Sequence, residues 1–194
     1  MERKESIIKA AKQLFAQRGF HATPTSEVAK QAGVAEGTIF HHFKTKEGIL
    51  VYVFEEMMEQ YIEGARSWVK KANTGLEALE ELVGFHFLFS EQRAEDLMVV
   101  IRDFPFTIMK KGSPFRKVAN THFFKVVDLI RVCIEQGQAD GSIRDITPEK
   151  AALILEGMLY GLSRLKLLGP LELPDLSSHV IDLCRSGLSK GGSR

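Results

Sequence analysis

Apolar residues recur along almost the whole chain at the spacing of amphipathic helices. In the first segment, Ile7, Ile8, Ala11, Leu14 and Phe15 fall on one face of a 3.6-residue period. Comparable patterns predict further helices over residues 24–32, 35–43, 46–71, 76–91, 94–103, 114–137, 148–168 and 173–188. No segment shows the two-residue alternation of a half-buried strand. The pattern therefore predicts an all-α protein.

Glycine and proline mark the expected helix ends. Gly19 suits the position just after the first helix, and Thr23 followed by Pro24 is typical of an N-cap and first-turn pair. Pro105 is expected to end the segment that precedes it. We predict a helical head over residues 1–46, a helical body over 47–188 and a flexible tail over 189–194.

Composition places the chain among ordinary globular proteins, with 44% hydrophobic and 26% charged residues. No apolar run approaches the roughly 18 residues of a membrane helix, and no secretory signal is visible. Two isolated cysteines, Cys133 and Cys184, fit free thiols in a reducing compartment. We expect a cytoplasmic protein with no membrane partner.

Charge is divided unevenly along the chain. Residues 1–50 hold eight Lys/Arg and five Asp/Glu, a net charge of +3, whereas the remainder has a net charge of −2. A basic N-terminal part permits a nucleic-acid partner without requiring one.

Residues 24–43 have the features of a helix-turn-helix, whose second helix enters the major groove of DNA. Ala29 is small where two short helices would cross, and Gly33 can adopt the left-handed conformation of the turn. Apolar contacts that would hold the pair together are expected from Val28, Val34, Ile39 and Phe43.

Over residues 7–50 the chain resembles the DNA-binding domain of the TetR family of bacterial transcriptional regulators. The matching residues are Ile8, Ala11, Leu14, Phe15, Gly19, Phe20, Thr23, Val28, Ala29, Ala32, Gly33, Val34, Gly37, Thr38, Ile39, His42, Phe43, Lys46 and Leu50. The resemblance implies a homodimer that binds a double-stranded DNA operator and a small-molecule effector. It implies no cofactor.

The resemblance also implies which residues meet DNA. Those positions are Thr23, Thr25, Ser26, Glu36, Gly37, Thr38, Phe40, His41, His42 and Lys46. Two positions depart from the family pattern, since Phe40 stands where Tyr is usual and Ala35 where Ser is usual. Glu36 would repel phosphates unless its carboxylate accepts a hydrogen bond from a cytosine amino group.

The adjacent histidines His41 and His42 allow three interpretations, namely a metal site, an idle solvated pair or phosphate contacts. Neighbouring residues on a helix point about 100° apart, so the two rings do not easily share one metal ion. DNA contact is the interpretation we favour, and no metal site is expected.

The body is expected to carry the effector site and the dimer interface that the resemblance implies. Candidate ligand-binding residues are Phe85, His86, Phe89, Arg102, Phe104, His122, Phe123 and Tyr160, each of which also fits an ordinary core or rim position. Helix 148–168 is apolar on two sides, which suits a dimer contact or a buried helix in a monomer. Candidate interface residues are Ile154, Met158, Gly161, Leu165, Ile181 and Cys184.

These features predict a repressor that binds a pseudo-palindromic operator as a dimer and is released by a hydrophobic or aromatic effector. A ligand-responsive activator and a helical adaptor protein without specific DNA binding are the alternatives. No phosphate loop, nucleophile motif or useful carboxylate pair is visible, so we expect neither catalytic residues nor enzymatic activity.

Overall fold

The computed structural model of the chain describes residues 3–109, 112–169 and 174–190, without the side chains of 103–109. Its helices are α1 (Arg3–Arg18), α2 (Thr25–Ala32), α3 (Glu36–Phe43), α4 (Lys46–Val69), α5 (Gly75–Gln92), α6 (Ala94–Met109), α7 (Pro114–Asp140), α8 (Pro148–Leu168) and α9 (Ser177–Leu188). The described residues also contain an isolated antiparallel β-bridge between Ile143 and Ser189. The all-α prediction is confirmed.

The chain divides into two compact units that do not follow the order of the helices. Unit 1 consists of Met1–Glu59 and Arg93–His122, and unit 2 consists of Gln60–Gln92 and Phe123–Arg194. Helices α4 and α7 each contribute residues to both units. The contacts therefore group α6 with the N-terminal helices, which the sequence pattern did not indicate.

Unit 1 is built on the apolar face of α1. Ile7, Ala11 and Phe15 have no exposed surface, as the helical pattern predicted. Helix α6 packs on α1 through polar contacts at the margin of this core. The Lys12 ammonium lies 3.3 Å from the carboxylate of Asp96, and the guanidinium of Arg102 donates to main-chain carbonyls at the end of α1.

Unit 2 holds its helices together by both apolar and capping contacts. The backbone N–H of Gly75, at the start of α5, donates to the Asp140 carboxylate at 2.7 Å. Hydrogen bonds from Ser142 and from Gly75 lower the pKa of Asp140. A Cβ at Gly75 would lie 2.0 Å from the backbone nitrogen of Gly137, so α5 and α7 approach more closely than any other residue would permit.

Three expectations about boundaries are corrected. Helix α2 begins at Thr25 with Pro24 in the N-cap position, so Thr23 does not cap it. Helix α6 continues through Pro105 to Met109, since a proline lacks one backbone donor but does not prevent the residues beyond it from being helical. The tail prediction fails for Ser189 and Lys190, whose backbones pair with Ile143 and Ser142, while residues 191–194 lie outside the described part.

No helix in the described ranges is both long enough and apolar enough to cross a lipid bilayer.

Candidate nucleic-acid interface

The turn between α2 and α3 has the geometry that its glycine indicated. Gly33 ends α2 with φ +68°, in the left-handed region, and its neighbour Val34 donates to the carbonyl of Ala29 at 3.0 Å. Val28 and Ile39 are fully buried beneath the turn. The two short helices are thus locked to each other from below, and their outer faces are left to solvent.

The junction of α3 and α4 is a second, tighter turn. Lys44 has a positive φ of 63°, and the N–H of Thr45 donates to the carbonyl of Phe43 at 2.7 Å. The Thr45 hydroxyl then accepts from the N–H of Gly48 at 3.0 Å and caps α4. This strained turn sets the direction in which α4 leaves α3.

The outer face of α3 borders a groove of about 610 Å³. Its lining residues are Arg3, Lys4, Gly37, Thr38, His41 and His42. Phe40 on the same helix is 44% exposed. Two cations from the start of α1 therefore stand beside the predicted base-reading residues, as a surface that approaches phosphates requires.

Arg3 and Lys4 were missed by the sequence reasoning. They precede the apolar pattern of α1 and lie more than thirty positions from α3, so no local motif connects them to it. The one available signal was their charge, and charge does not reveal which surface a residue joins. Lys4 is held in place by the face of Tyr52, whose ring centroid lies 3.9 Å from its ammonium.

Glu36 begins α3 and is tied to the start of α2. The hydroxyl of Thr25 donates to its Oε1 at 2.5 Å. The two residues thus link the two helices on their outer side, across from the buried Val28 and Ile39.

Comparison with known proteins agrees with this geometry. A family model described as bacterial regulatory proteins, tetR family, matches residues 7–53. The FadR transcriptional regulator from Bacillus subtilis, solved in complex with stearoyl-CoA, is 27% identical, with a TM-score of 0.80 over 94% of this chain and 98% of that chain. The chain is a TetR-family transcriptional regulator.

Two other matches have names that concern fatty-acid regulation. The fatty acid degradation regulator FadR from Bacillus halodurans is 26% identical, with a TM-score of 0.81 over 96% of each chain. The fatty acid metabolism regulator protein of Bacillus subtilis is 44% identical over 81 residues. That stretch is 42% of this chain and 42% of the relative, so the match spans less than half of that regulator.

Two of the DNA-contact residues expected from the TetR resemblance have internal roles instead. Thr23 is fully buried, and its hydroxyl donates to the carbonyl of Gly19 at 2.9 Å. Its side chain closes the end of α1 and does not reach the surface, so this assignment is wrong.

Lys46 is also directed inward. Its ammonium donates to the carbonyls of Phe20 at 2.8 Å and Thr23 at 3.0 Å, and it lies 4.5 Å from the centre of the Phe20 ring. These carbonyls lie in the loop between α1 and α2, and the lysine satisfies them. The structure therefore gives Lys46 a positioning role, not the phosphate contact that was expected.

The predicted ligand-binding residues are divided between the two units. Phe85 and Phe89 are buried in unit 2 and pack edge-on or tilted against Tyr61. Arg102 and His122 belong to unit 1 instead, where they hold α1 and pack against Phe54 respectively. The remaining predicted residues are Phe123, which is exposed, Tyr160, which is half-buried, and Phe104, whose side chain lies outside the described part.

His86 is the polar member of the aromatic cluster, with both ring nitrogens engaged. Nδ1 lies 3.0 Å from the hydroxyl of Tyr61 and Nε2 lies 2.8 Å from that of Ser163. Burial lowers the pKa of His86 to about 4, so the ring is neutral, with one ring nitrogen a donor and the other an acceptor. Sequence reasoning missed both hydroxyl partners because they come from other helices.

Glu156 on α8 is an ionisable group of the same unit that the sequence did not single out. Its carboxyl makes no hydrogen bond to a described residue, and burial raises its pKa to about 8. Burial, and to a smaller extent the charge of Glu156, raise the pKa of Tyr61.

The residues predicted for the dimer interface lie in two environments. Ile154 is 70% exposed and Leu165 is 52% exposed, on the same face of α8 as the half-buried Met158 and Gly161. Ile181 on α9 is half-buried. Cys184 is the exception: it points into the core of unit 2, and burial raises the pKa of its thiol to about 11. Its assignment to a subunit surface is wrong.

Among residues 3–109, 112–169 and 174–190, no group of three His, Cys, Asp or Glu side chains is placed to hold a metal ion. The rings of His41 and His42 are 5.3 Å apart and nearly perpendicular.

Proposed function

We propose that this regulator is a repressor that binds a pseudo-palindromic operator as a homodimer and is released by a long-chain acyl thioester. The observation that carries the DNA part is the groove beside α3. It combines short side chains, which permit close approach to base edges, with the cations Arg3 and Lys4, which suit phosphates. In a dimer, two such surfaces would meet half-sites roughly 34–36 Å apart.

The dimer part rests on the outer face of α8. Ile154, Met158, Gly161 and Leu165 recur at alternating spacings of four and three residues, the pattern of a helix that packs along another helix. Two of these large apolar side chains are more than half exposed in the single chain. A second copy related by a two-fold axis would bury the stripe against its own equivalent.

The effector part rests on likeness and on chemistry. The Bacillus subtilis FadR, solved with stearoyl-CoA, shares the fold over nearly the full length of the chain. Unit 2 offers apolar side chains of Phe85, Phe89 and Trp68 that suit a hydrocarbon chain. A buried apolar interior is unsuitable for the phosphates of coenzyme A, so the acyl part is the part that would enter it.

Release of DNA follows from linkage. An effector lowers operator affinity only by the factor by which it prefers the DNA-free conformation, and operator DNA weakens effector binding by the same factor. The proposal therefore requires acyl thioester affinity to fall when operator is present.

The test is an electrophoretic mobility shift with full-length protein and the DNA upstream of its own gene. A shuffled fragment of equal length serves as the DNA control. We expect a shift on the upstream fragment alone, reversed by stearoyl-CoA and unaffected by acetyl-CoA or coenzyme A. Equal binding to both fragments would favour the adaptor alternative. Stronger binding with stearoyl-CoA would contradict release and favour ligand-dependent activation or co-repression.

A further inference from the structure

Glu36 occupies an unusual position for an acidic residue. It is exposed at the first position of α3, next to a groove lined by Arg3, Lys4, His41 and His42. Its carboxylate forms no ion pair with a cation of the described chain; its polar contact is the 2.5 Å hydrogen bond from Thr25. A carboxylate on a surface that meets phosphates weakens binding unless a hydrogen-bond donor awaits it.

A structural role explains part of this arrangement. An acid in the first turn of a helix interacts favourably with the helix dipole, and α3 has no side-chain N-cap because Ala35 precedes it. That role needs negative charge near the helix end but does not need the carboxylate to be held by a neighbouring helix. The hydrogen bond from Thr25 restrains the side chain and leaves the second oxygen without a described partner.

The hydrogen-bonding groups on the base edges determine which base can bind the second carboxylate oxygen of Glu36. In the major groove guanine presents two acceptors, thymine presents an acceptor and a methyl group, and adenine presents an acceptor beside its amino group. Cytosine presents its N4 amino donor without an adjacent acceptor. A carboxylate accepts hydrogen bonds but donates none, so cytosine is the base whose edge does not repel it.

We propose that Glu36 is a specificity-determining residue that selects a cytosine in each operator half-site through its N4 amino group, with Thr25 as the positioning residue that holds the carboxylate. This inference rests on the proposed operator binding. The carboxylate of Glu36, which would repel phosphates, would then contact a base instead.

The experiment is a selection of bound sequences from random DNA, carried out with the full-length wild-type protein and with Glu36→Gln, Glu36→Ala, Thr25→Val and Thr25→Ser. We expect the wild-type consensus to contain one cytosine per half-site that depends on Glu36. Glu36→Gln should move that position to adenine, because an amide both donates and accepts and matches the adenine edge. Glu36→Ala should lose preference there and keep the rest of the consensus.

The Thr25 variants separate positioning from simple folding. Thr25→Val should weaken the cytosine preference without altering the other positions, and Thr25→Ser, which retains the hydroxyl, should restore it. A change spread evenly over all positions would mean that Thr25 only supports the fold, and would overturn its assigned role.

A measurement on the wild-type protein tests the proposal even if the variants fold poorly. Replacing the selected cytosine by pyrimidinone, which lacks the amino group, should weaken wild-type binding about tenfold. If Glu36 variants and the pyrimidinone site behave like wild type, the inference fails while operator binding stands. If the wild-type protein selects no common sequence, the proposed function itself fails.

Discussion

Replacing Glu156 by glutamine removes a carboxyl group that is poorly accommodated in unit 2. The side chain is largely buried on α8 and makes no hydrogen bond to a described residue, and its pKa in the folded chain is about 8 against an ordinary value of 4.5. Between these two values the folded protein retains a proton that the unfolded chain has lost. Stability therefore falls as pH rises through this window, and the loss is complete above the folded pKa.

At pH values above 6.5 the pH dependence contributed by Glu156 can be separated from that of His86. His86, whose folded pKa of about 4 lies below its ordinary 6.5, has the opposite effect: its contribution to stability rises with pH between 4 and 6.5 and is constant above that range. From pH 6.5 to 8 the shift of Glu156 alone corresponds to about 2 kcal/mol, at about 1.4 kcal/mol per pH unit. Partial solvent exposure makes this an upper value.

The assay is urea denaturation of wild type and Glu156→Gln at pH 6.5, 7.5 and 8.5, followed by circular dichroism at one fixed protein concentration. Fixed concentration keeps any contribution of subunit association equal. We expect the free energy of unfolding of wild type to fall relative to the variant by about 1–2 kcal/mol across this range. Glu149→Gln, at an exposed position on the same helix, is the matched control and should show no such trend.

A difference between wild type and Glu156→Gln that stays constant from pH 6.5 to 8.5 would refute the reasoning. It would mean that the carboxyl is ionised and satisfied in the folded protein. A variant that is less stable at every pH would point to a hydrogen bond or ion pair that depends on the charge.

Three other predictions follow from single contacts. Gly75→Ala should lower the free energy of unfolding by at least about 2 kcal/mol because its Cβ would collide with the backbone of α7. Gly187→Ala, whose Cβ would lie in open space on α9, should raise the free energy of unfolding by up to about 1 kcal/mol. Equal effects of the two substitutions in urea denaturation would contradict this prediction. Lys46→Met should lower the melting temperature of the protein but leave the salt dependence of operator binding unchanged; a smaller salt slope would show that this lysine contacts a phosphate. Leu165→Glu should convert a dimer to a monomer in sedimentation velocity. Phe124→Glu, which replaces an equally apolar side chain that is 61% exposed on α7, should leave the dimer intact. Dimers in both variants would contradict the α8 interface.

Features that depend on local chain geometry were predictable from the sequence. The left-handed turn at Gly33 and the burial of Val28, Ile39 and Phe43 follow from residue type and spacing within twenty positions. Helix α8 has the predicted bounds because Pro148 and Gly169 mark its two ends.

Features that depend on which partner a side chain meets were not predictable. A threonine at the surface and a threonine that closes a helix end look alike in sequence, and Thr23 proved to be the second kind. The charge of Lys46 suited a phosphate as well as the carbonyls that it meets. Cys184 shares the apolar pattern of α9 with Leu183, yet the first is 3% exposed and the second 65%.

The central claim is that the surface formed by α3 and the start of α1 binds DNA. The most direct test is the salt dependence of operator affinity, measured by fluorescence anisotropy for wild type, Arg3→Ala and Lys9→Ala. Arg3 lines the groove, whereas Lys9 is an exposed cation of α1 that does not. We predict that Arg3→Ala lowers the slope of log affinity against log salt by about one and that Lys9→Ala leaves it unchanged. Identical slopes for Arg3→Ala and wild type, or equal losses in both variants, would contradict the claim.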